Sequence, residues 1–415
     1  MPQLPSMKVV LAVMTLEPHG GVADQITNLA LELPKYGVQP AVVVRNPLSS
    51  GHGYAAMMRE AGIMVVAIRH DRYLLVRNMC RILAGIALPL IIADAVLRRK
   101  TLVVSQHTIW GVLRRPGSYA GLDVLLWLNL VRLRLFSGIR LAHFRKPDSW
   151  PWIARAHRLG YATIYSEDTI PWAHTVHYYR GLSTVDASIS IATAVSRASA
   201  TARGIPTCTA ANKGNSEHGT SPQLDLAHGK TNTASSFVVG SLARLDPQKD
   251  IETLLFATRK VKDSDTPIKV LIFGDGPLRG SLETLANELE LREHVEFRGA
   301  FAKTDLPEIM AQIDIVVLSS HYEGFGVVLV EGMAYGKPVI ASAVGGVMDV
   351  VEDGVTGILF PEGDADALAK GILALSIDQQ LYKRMTQAAR ERYLDRFTPE
   401  RVVPQYVALY ERLAT

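Results

Sequence analysis

Short β-branched runs alternate along the chain with stretches of helical spacing. Lys8–Met14 is apolar after its first residue and reads as a buried strand, and Pro18–Gly21 reads as a turn. Ile26, Leu29, Ala30 and Leu33 then recur on one face of a helix over Val22–Leu33. Gly37 stops that helix and Gln39–Arg45 supplies the next strand. The same order returns at Ile63–Ile68, at Leu102–Ser105, at Arg140–His143 before a helical Trp152–Leu159, and at Ala162–Tyr165. Between Thr207 and Ser236 the pattern lapses into Thr, Ser, Asn, Gly and His. It restarts with strands at Phe237–Ser241, Lys269–Phe273, Val295–Arg298, Ile315–Ser319, Val339–Ala341 and Gly357–Phe360. Helices are expected from about Ile251, Leu278, Asp305, Gly326 and Asp364, and an amphipathic segment, Glu400–Leu413, closes the chain.

Alternation of this kind predicts parallel sheets covered by helices on both faces. The expected fold is α/β, two Rossmann-like domains facing across a cleft. The first spans 1–206, a linker 207–236 and the second 237–398, with a helix over 399–415 that either closes the second domain or packs back on the first. At 415 residues, 48% hydrophobic, 20% charged and 7% aromatic, the composition is that of a soluble globular enzyme. Two cysteines, Cys80 and Cys208, exclude a disulfide framework and lack metal-ligand spacing, so cytoplasmic residence is expected.

Charge is unevenly distributed. Residues 1–200 carry 22 Lys/Arg against 11 Asp/Glu, and residues 201–415 carry 22 against 29. A basic first half fits an anionic partner, or else arginines that solvate helix faces. The apolar Val9–Leu16 reads as a first strand rather than a signal peptide. Ile82–Ala93 has no charge, but at 12 residues with Pro89 inside it falls short of the roughly 20 a spanning helix needs. It is either a buried helix or, with Arg81, Arg98-Arg99-Lys100 and the basic Leu125–Arg140 stretch, a peripheral contact with an anionic membrane surface.

The densest chemistry is Ser319-Ser-His-Tyr-Glu-Gly-Phe-Gly-Val-Val-Leu-Val-Glu331, between a strand and a helix. Gly324 and Gly326 let the backbone approach a ligand, and amides at the helix start can hold phosphate. Glu323 and Glu331 can reach one site at two depths, one near a reacting sugar and one near a ribose, whose vicinal hydroxyls suit a carboxylate acceptor. Alternatively Glu323 caps the helix and Glu331 is a solvated face position. In Gly240-Ser-Leu-Ala-Arg-Leu-Asp-Pro-Gln-Lys-Asp250, Arg244 and Lys249 occupy a loop after a strand. There they suit a diphosphate leaving group, or simply a salt bridge to Asp246 or Asp250. Gly345 and Gly346 stand at another strand-to-helix turn, and Gly20 and Gly21 at their N-terminal counterpart. Both pairs either offer amides to a ligand or make tight turns.

Taken in order, Gly240-Ser-Leu-Ala-Arg-Leu-Asp-Pro-Gln-Lys, Phe273-Gly-Asp-Gly-Pro, the Glu323-to-Glu331 run, Val344-Gly-Gly, Glu352-Asp-Gly-Val-Thr-Gly and Pro361-Glu-Gly-Asp resemble the family 4 retaining glycosyltransferases of the GT-B fold. The resemblance is specific over 237–370 and weak before it. It implies transfer of a hexose from a nucleoside-diphosphate-sugar to a hydroxyl, with retention and without metal. UDP or GDP is the expected nucleotide carrier, no other cofactor is implied, and the acceptor is a carbohydrate or a lipid-linked one. Bacterial polysaccharide or glycolipid assembly at the inner face of a membrane, with no nucleic acid partner, is the implied setting. Arg244 and Lys249 match the phosphate-binding pair and Glu323 the acid near the donor sugar. Glu331 matches the ribose-binding acid, and Gly324, Phe325 and Gly326 the backbone that touches sugar and phosphates.

Three positions depart from the family pattern. Asp250 stands where the family commonly has glycine. Asn212-Lys-Gly-Asn replaces the usual Asn-Gly-Val-Asp. The histidine expected at the end of a middle strand is absent after Ala162-Thr-Ile-Tyr, which leaves His107 and His143 as strand-end candidates. That departure motivates a rival reading, a GT-B scaffold that binds a sugar nucleotide or a partner protein without turnover. Phe273-Gly-Asp-Gly-Pro lacks Gly-x-Gly-x-x-Gly spacing, which weighs against a dehydrogenase. Asp364-Ala-Asp366 fits two acids at a helix N-terminus better than a metal site.

Overall fold

The computed structural model describes residues 7–13, 21–44, 53–67, 130–145 (save 132 and 136), 153–167 (save 154 and 155), 187–190, 207–209, and 236–414 save 265. By contacts the chain forms two compact units, one of residues 1–166, 177–187 and 407–415, the other of residues 167–176 and 188–406.

The first sheet has seven strands, β1 (Met7–Val13), β2 (Val38–Val44), β3 (Met64–Ala67), β4 (Leu141–Arg145), β5 (Ala162–Glu167), β6 (Ala187–Ser190) and β7 (Thr207–Thr209), in the order β3-β2-β1-β4-β5-β6-β7. β1 pairs in parallel with β2 from Met7 opposite Val38 to Val13 opposite Val44. Val9, Val10 and Leu11 are fully buried, as expected of a strand covered on both faces. The first helix runs Gly21–Glu32 and buries Ile26, Leu29 and Ala30. A 3-10 turn, Leu33–Tyr36, extends it until Gly37 adopts φ 76° and donates its N–H to the Leu33 and Pro34 carbonyls. That is the stop expected at Gly37. Of the predicted helix over Trp152–Leu159, Ile153 and residues 156–158 are helical among the described residues.

Composition assigned Thr207–Thr209 to the linker, yet these residues form β7 and pair with β6. Both strands are short and rich in Ser and Thr, so no apolar run announces them. The predicted strand Leu102–Ser105 and the Ile82–Ala93 stretch lie outside the described residues, as do residues 125–129, 132 and 136 of Leu125–Arg140. Among the described residues no helix is long and apolar enough to cross a membrane.

The second sheet comprises β8 (Phe237–Leu242), β9 (Ile268–Phe273), β10 (Val295–Gly299), β11 (Ile315–Leu318), β12 (Val339–Ser342) and β13 (Gly357–Phe360). The order is β10-β9-β8-β11-β12-β13, and every pair is parallel. Side chains alternate between two cores. Val316 and Leu318 face Leu329, Met333 and Tyr393, whereas Ile315 and Val317 face Leu254, Leu368 and Ile372. Helices Val327–Ala334 and Gln379–Arg396 thus cover one face, and Ile251–Lys262 and Ala365–Ile377 the other. Each fully buried Leu or Ile contributes about 1.5–3 kcal/mol of apolar burial. Strand order reverses between β8 and β11, and in open α/β sheets the ligand crevice lies outside the carboxyl ends at such a reversal.

The C-terminal helix is Pro399–Ala414. Tyr410, in its last turns, hydrogen-bonds Nδ1 of His143 at 2.7 Å.

Candidate functional site

The loops that leave β8, β11 and β12 at the carboxyl edge of the second sheet are bonded to one another. Leu245 is buried and pins the first loop, while the Arg244 side chain is 70% exposed with Nε 3.4 Å from Oδ2 of Asp246. A 3-10 turn, Pro247–Lys249, follows. Lys249 Nζ donates to Oε2 of Glu323 at 2.5 Å. Ser319 Oγ donates to the carbonyls of Lys249 and Asp250 at 3.1 and 2.8 Å. The His321 N–H reaches the Gln248 carbonyl at 2.9 Å, and Gln248 Nε2 reaches the Tyr322 carbonyl at 3.0 Å. From β12, Ser342 Oγ donates to the Ser320 carbonyl at 2.6 Å and the Gly346 N–H to the Glu323 carbonyl at 3.0 Å. Glu323 is therefore held by its neighbours' backbones as well as by its own side chain.

Two glycines let the loop after β9 join this frame. Gly274 has φ +140°, and a Cβ there would fall 1.8 Å from the Ala243 carbonyl oxygen. At Gly276 it would fall 2.4 Å from the Leu245 oxygen. Phe273-Gly-Asp-Gly-Pro is thus explained by close backbone approach, without a dinucleotide.

Asp250 resolves one departure from the family pattern. Its φ is 45° and ψ 53°, the left-handed conformation that glycine enters at no steric cost. As N-cap of the Ile251–Lys262 helix it also accepts from the Thr253 N–H at 3.2 Å and from Thr253 Oγ1 at 2.6 Å. Aspartate therefore combines the glycine conformation with a cap that glycine lacks.

Beyond the β11 loop, Gly326 (φ +81°) begins the Val327–Ala334 helix with no side-chain cap, which removes the capping role considered for Glu323. Glu331 lies inside that helix and is 3% exposed, so it is not a solvated face position. The next residue explains the depth. A Cβ on Gly332 would sit 2.8 Å from Val316 Cγ2, so glycine brings the helix close onto β11. Lys303 Nζ, from the 3-10 turn Lys303–Asp305 after β10, hydrogen-bonds Oε1 of Glu331. Lys303 was not singled out in the sequence. Its signal is a cation just past a predicted strand, the same placement that marked Arg244 and Lys249.

Arg244, Lys249, Glu323, Gly324, Gly326, Glu331 and Gly345 all stand on loops or the helix at this carboxyl edge. The Phe325 side chain is a core residue, 3% exposed and edge-on to Phe397 at 5.9 Å, so ligand contact there is restricted to its backbone. Two assignments, Gly346 and His143, need correction. Gly346 cannot offer its amide to a donor while that amide is bonded to Glu323. His143 is the third of five residues in β4, fully buried and bonded to Tyr410, hence a packed core histidine rather than a strand-end group. Gly21 is the first residue of its helix, and Gly20 and His107 lie outside the described residues. Asp364 caps the Ala365–Ile377 helix by accepting from the Ala367 N–H at 2.9 Å, and Asp366 pairs with Lys260 at 2.9 Å.

Known proteins are similar to this chain in sequence over part of its length and in fold over nearly all of it. Over 162 residues the chain is 33% identical to the N-acetyl-alpha-D-glucosaminyl L-malate synthase of Bacillus anthracis, covering 39% of this chain and 42% of that protein. It is 32% identical over 152 residues to the alpha-D-kanosaminyltransferase of Streptomyces kanamyceticus, covering 37% and 39%. The matches thus span less than half the length of these relatives. Among solved structures, an Anabaena protein in complex with UDP and glucose superposes with a TM-score of 0.71 at 20% identity, covering 98% of this chain and all of that one. Sucrose-phosphate synthase from Thermosynechococcus elongatus gives 0.71 at 20% identity, covering 98% and 99%. These likenesses show the fold, two Rossmann-like domains of GT-B type. Residues 227–392, two fifths of the chain, match the family of glycosyl transferases group 1.

Proposed function

We propose that this protein transfers a hexose from a nucleoside-diphosphate-sugar to an acceptor hydroxyl with retention of anomeric configuration. The observation that carries the reading is the pairing of both acids of Glu-x7-Glu with lysines at the carboxyl edge where strand order reverses. In this reading an arriving diphosphate draws Lys249 from Glu323. Glu323 is then left to accept from the sugar hydroxyls, and Arg244 and Lys249 stabilise the leaving group as its charge grows. Cationic side chains take the role a metal ion plays in other transferases. The acceptor oxygen attacks from the face the leaving group departs, and an inverted product by NMR would refute retention.

The solved Anabaena protein carries UDP, which makes UDP the first nucleotide to try. A thermal-shift panel with UDP, GDP, ADP and their sugar conjugates, on the wild type and Lys249→Ala, tests the donor site. At 100 times the dissociation constant a ligand adds about 2.7 kcal/mol of stability. One nucleotide should stabilise the wild type, and the variant should lose that response.

The buried His143 favours a second reading, a scaffold that binds the nucleotide without turnover. Sugar transfer that Glu323→Ala abolishes, in a variant that still folds, would eliminate it. The acceptor is read as a carbohydrate or lipid-linked chain at an anionic membrane surface, and a protein that stays at the bottom in liposome flotation would reject the membrane part.

A further inference from the structure

Among the described residues no other carboxylate is as buried as Glu331. A carboxylate so placed keeps its charge only opposite a cation; alone, it would take up a proton. Lys303 supplies that cation from the far edge of the sheet, since its turn follows β10, three places from β11. The turn is rigidly built. Asp305 Oδ2 accepts from the Ala302 N–H at 2.8 Å and the Asp305 N–H returns to the Ala302 carbonyl at 3.0 Å. Phe301 packs edge-on against Phe273 at 6.2 Å, and the Gly299 carbonyl receives the Gly274 N–H at 2.7 Å. Lys303 therefore has a fixed base and a third of its side chain exposed, with its tip on the buried acid.

We infer that Lys303 is a positioning residue, holding Glu331 ionised and in one orientation so that it accepts the vicinal hydroxyls of a nucleoside ribose. This rests on the donor reading above. An ionised carboxylate accepts at about four sites and donates at none. A protonated Glu331 would instead present a donor and lose its hold on two hydroxyls at once.

The test measures discrimination rather than affinity alone. The full chain and its Lys303→Met, Lys303→Gln and Lys303→Arg variants are titrated calorimetrically with UDP and with 2′,3′-dideoxy-UDP, or with the GDP pair if GDP stabilises the wild type, and melting temperatures are recorded. The wild type should prefer the ribose form by on the order of tenfold, the worth of a charged hydrogen bond. Lys303→Met should reduce that preference to within about twofold while affinity for the dideoxy form is kept. Lys303→Arg should restore it. If the methionine variant does not fold, the glutamine variant, which keeps a donor without the charge, should show the same loss. Preservation of the tenfold preference in Met and Gln, or equal weakening of both ligands, overturns the role. So does a wild type that binds both forms alike. A wild type that binds neither ligand fails at the donor reading instead, and the two failures are thus told apart.

Discussion

Glu323 and Glu331 stand eight residues apart and each meets a lysine, yet the two pairs are built differently. Lys249 and Glu323 both sit on irregular backbone, and their side chains are 19% and 16% exposed. Glu331 is set in a helix pressed onto β11, and its lysine comes from a turn tied by Asp305. The first pair can exchange partners at lower cost because water reaches both ends. The second resists exchange, because separating it strands a buried charge. In the reading proposed above, one pair is suited to change during turnover and the other to stay.

The largest expected effect breaks the comparison at the Lys249–Glu323 pair. Lys249→Ala should lower kcat by on the order of 10²–10³-fold, roughly 3–4 kcal/mol, in product-formation assays at saturating donor. A loss in KM alone would show that Lys249 acts only in binding. The next targets the frame that both pairs share. Gly274→Ala, with φ +140° and a Cβ 1.8 Å from the Ala243 oxygen, should destabilise the protein by about 2–3 kcal/mol in urea unfolding. An unchanged midpoint would mean that the β9 loop shifts freely.

A smaller effect separates conformation from capping beside Lys249. Asp250→Ala loses the Thr253 cap and keeps the left-handed strain, costing about 1–2 kcal/mol. Asp250→Gly loses the cap but relieves the strain and should fall within a few tenths of a kcal/mol of the wild type. Equal losses in the two variants would show that the cap alone matters.

Most strands and helix starts could be read from periodicity, because an apolar alternation or a helical stripe is a local property. Gly37 stopped its helix where expected, and Ile251, Val327 and Ala365 opened theirs within a residue or two of the expected positions. β6 and β7 escaped notice because Ala-Ser-Ile-Ser and Thr-Cys-Thr carry almost no apolar signal. Their strand character comes from the sheet they join. His143 was misplaced for a related reason, since nothing local shows that Tyr410, 267 residues away, will meet it inside the core.

The order of motifs, read in sequence, determined the fold class and named Arg244, Lys249, Glu323 and Glu331, because each motif is a strand end, a turn and a helix start contiguous in the chain. Which cation meets which acid was decided by folding. Lys249 lies 74 residues from Glu323 and Lys303 lies 28 from Glu331. No spacing rule spans such distances. They close because parallel strands deliver every loop that follows a strand to one edge, and because Gly274, Gly276 and Gly332 let backbones and a helix approach where a single added carbon would keep them apart.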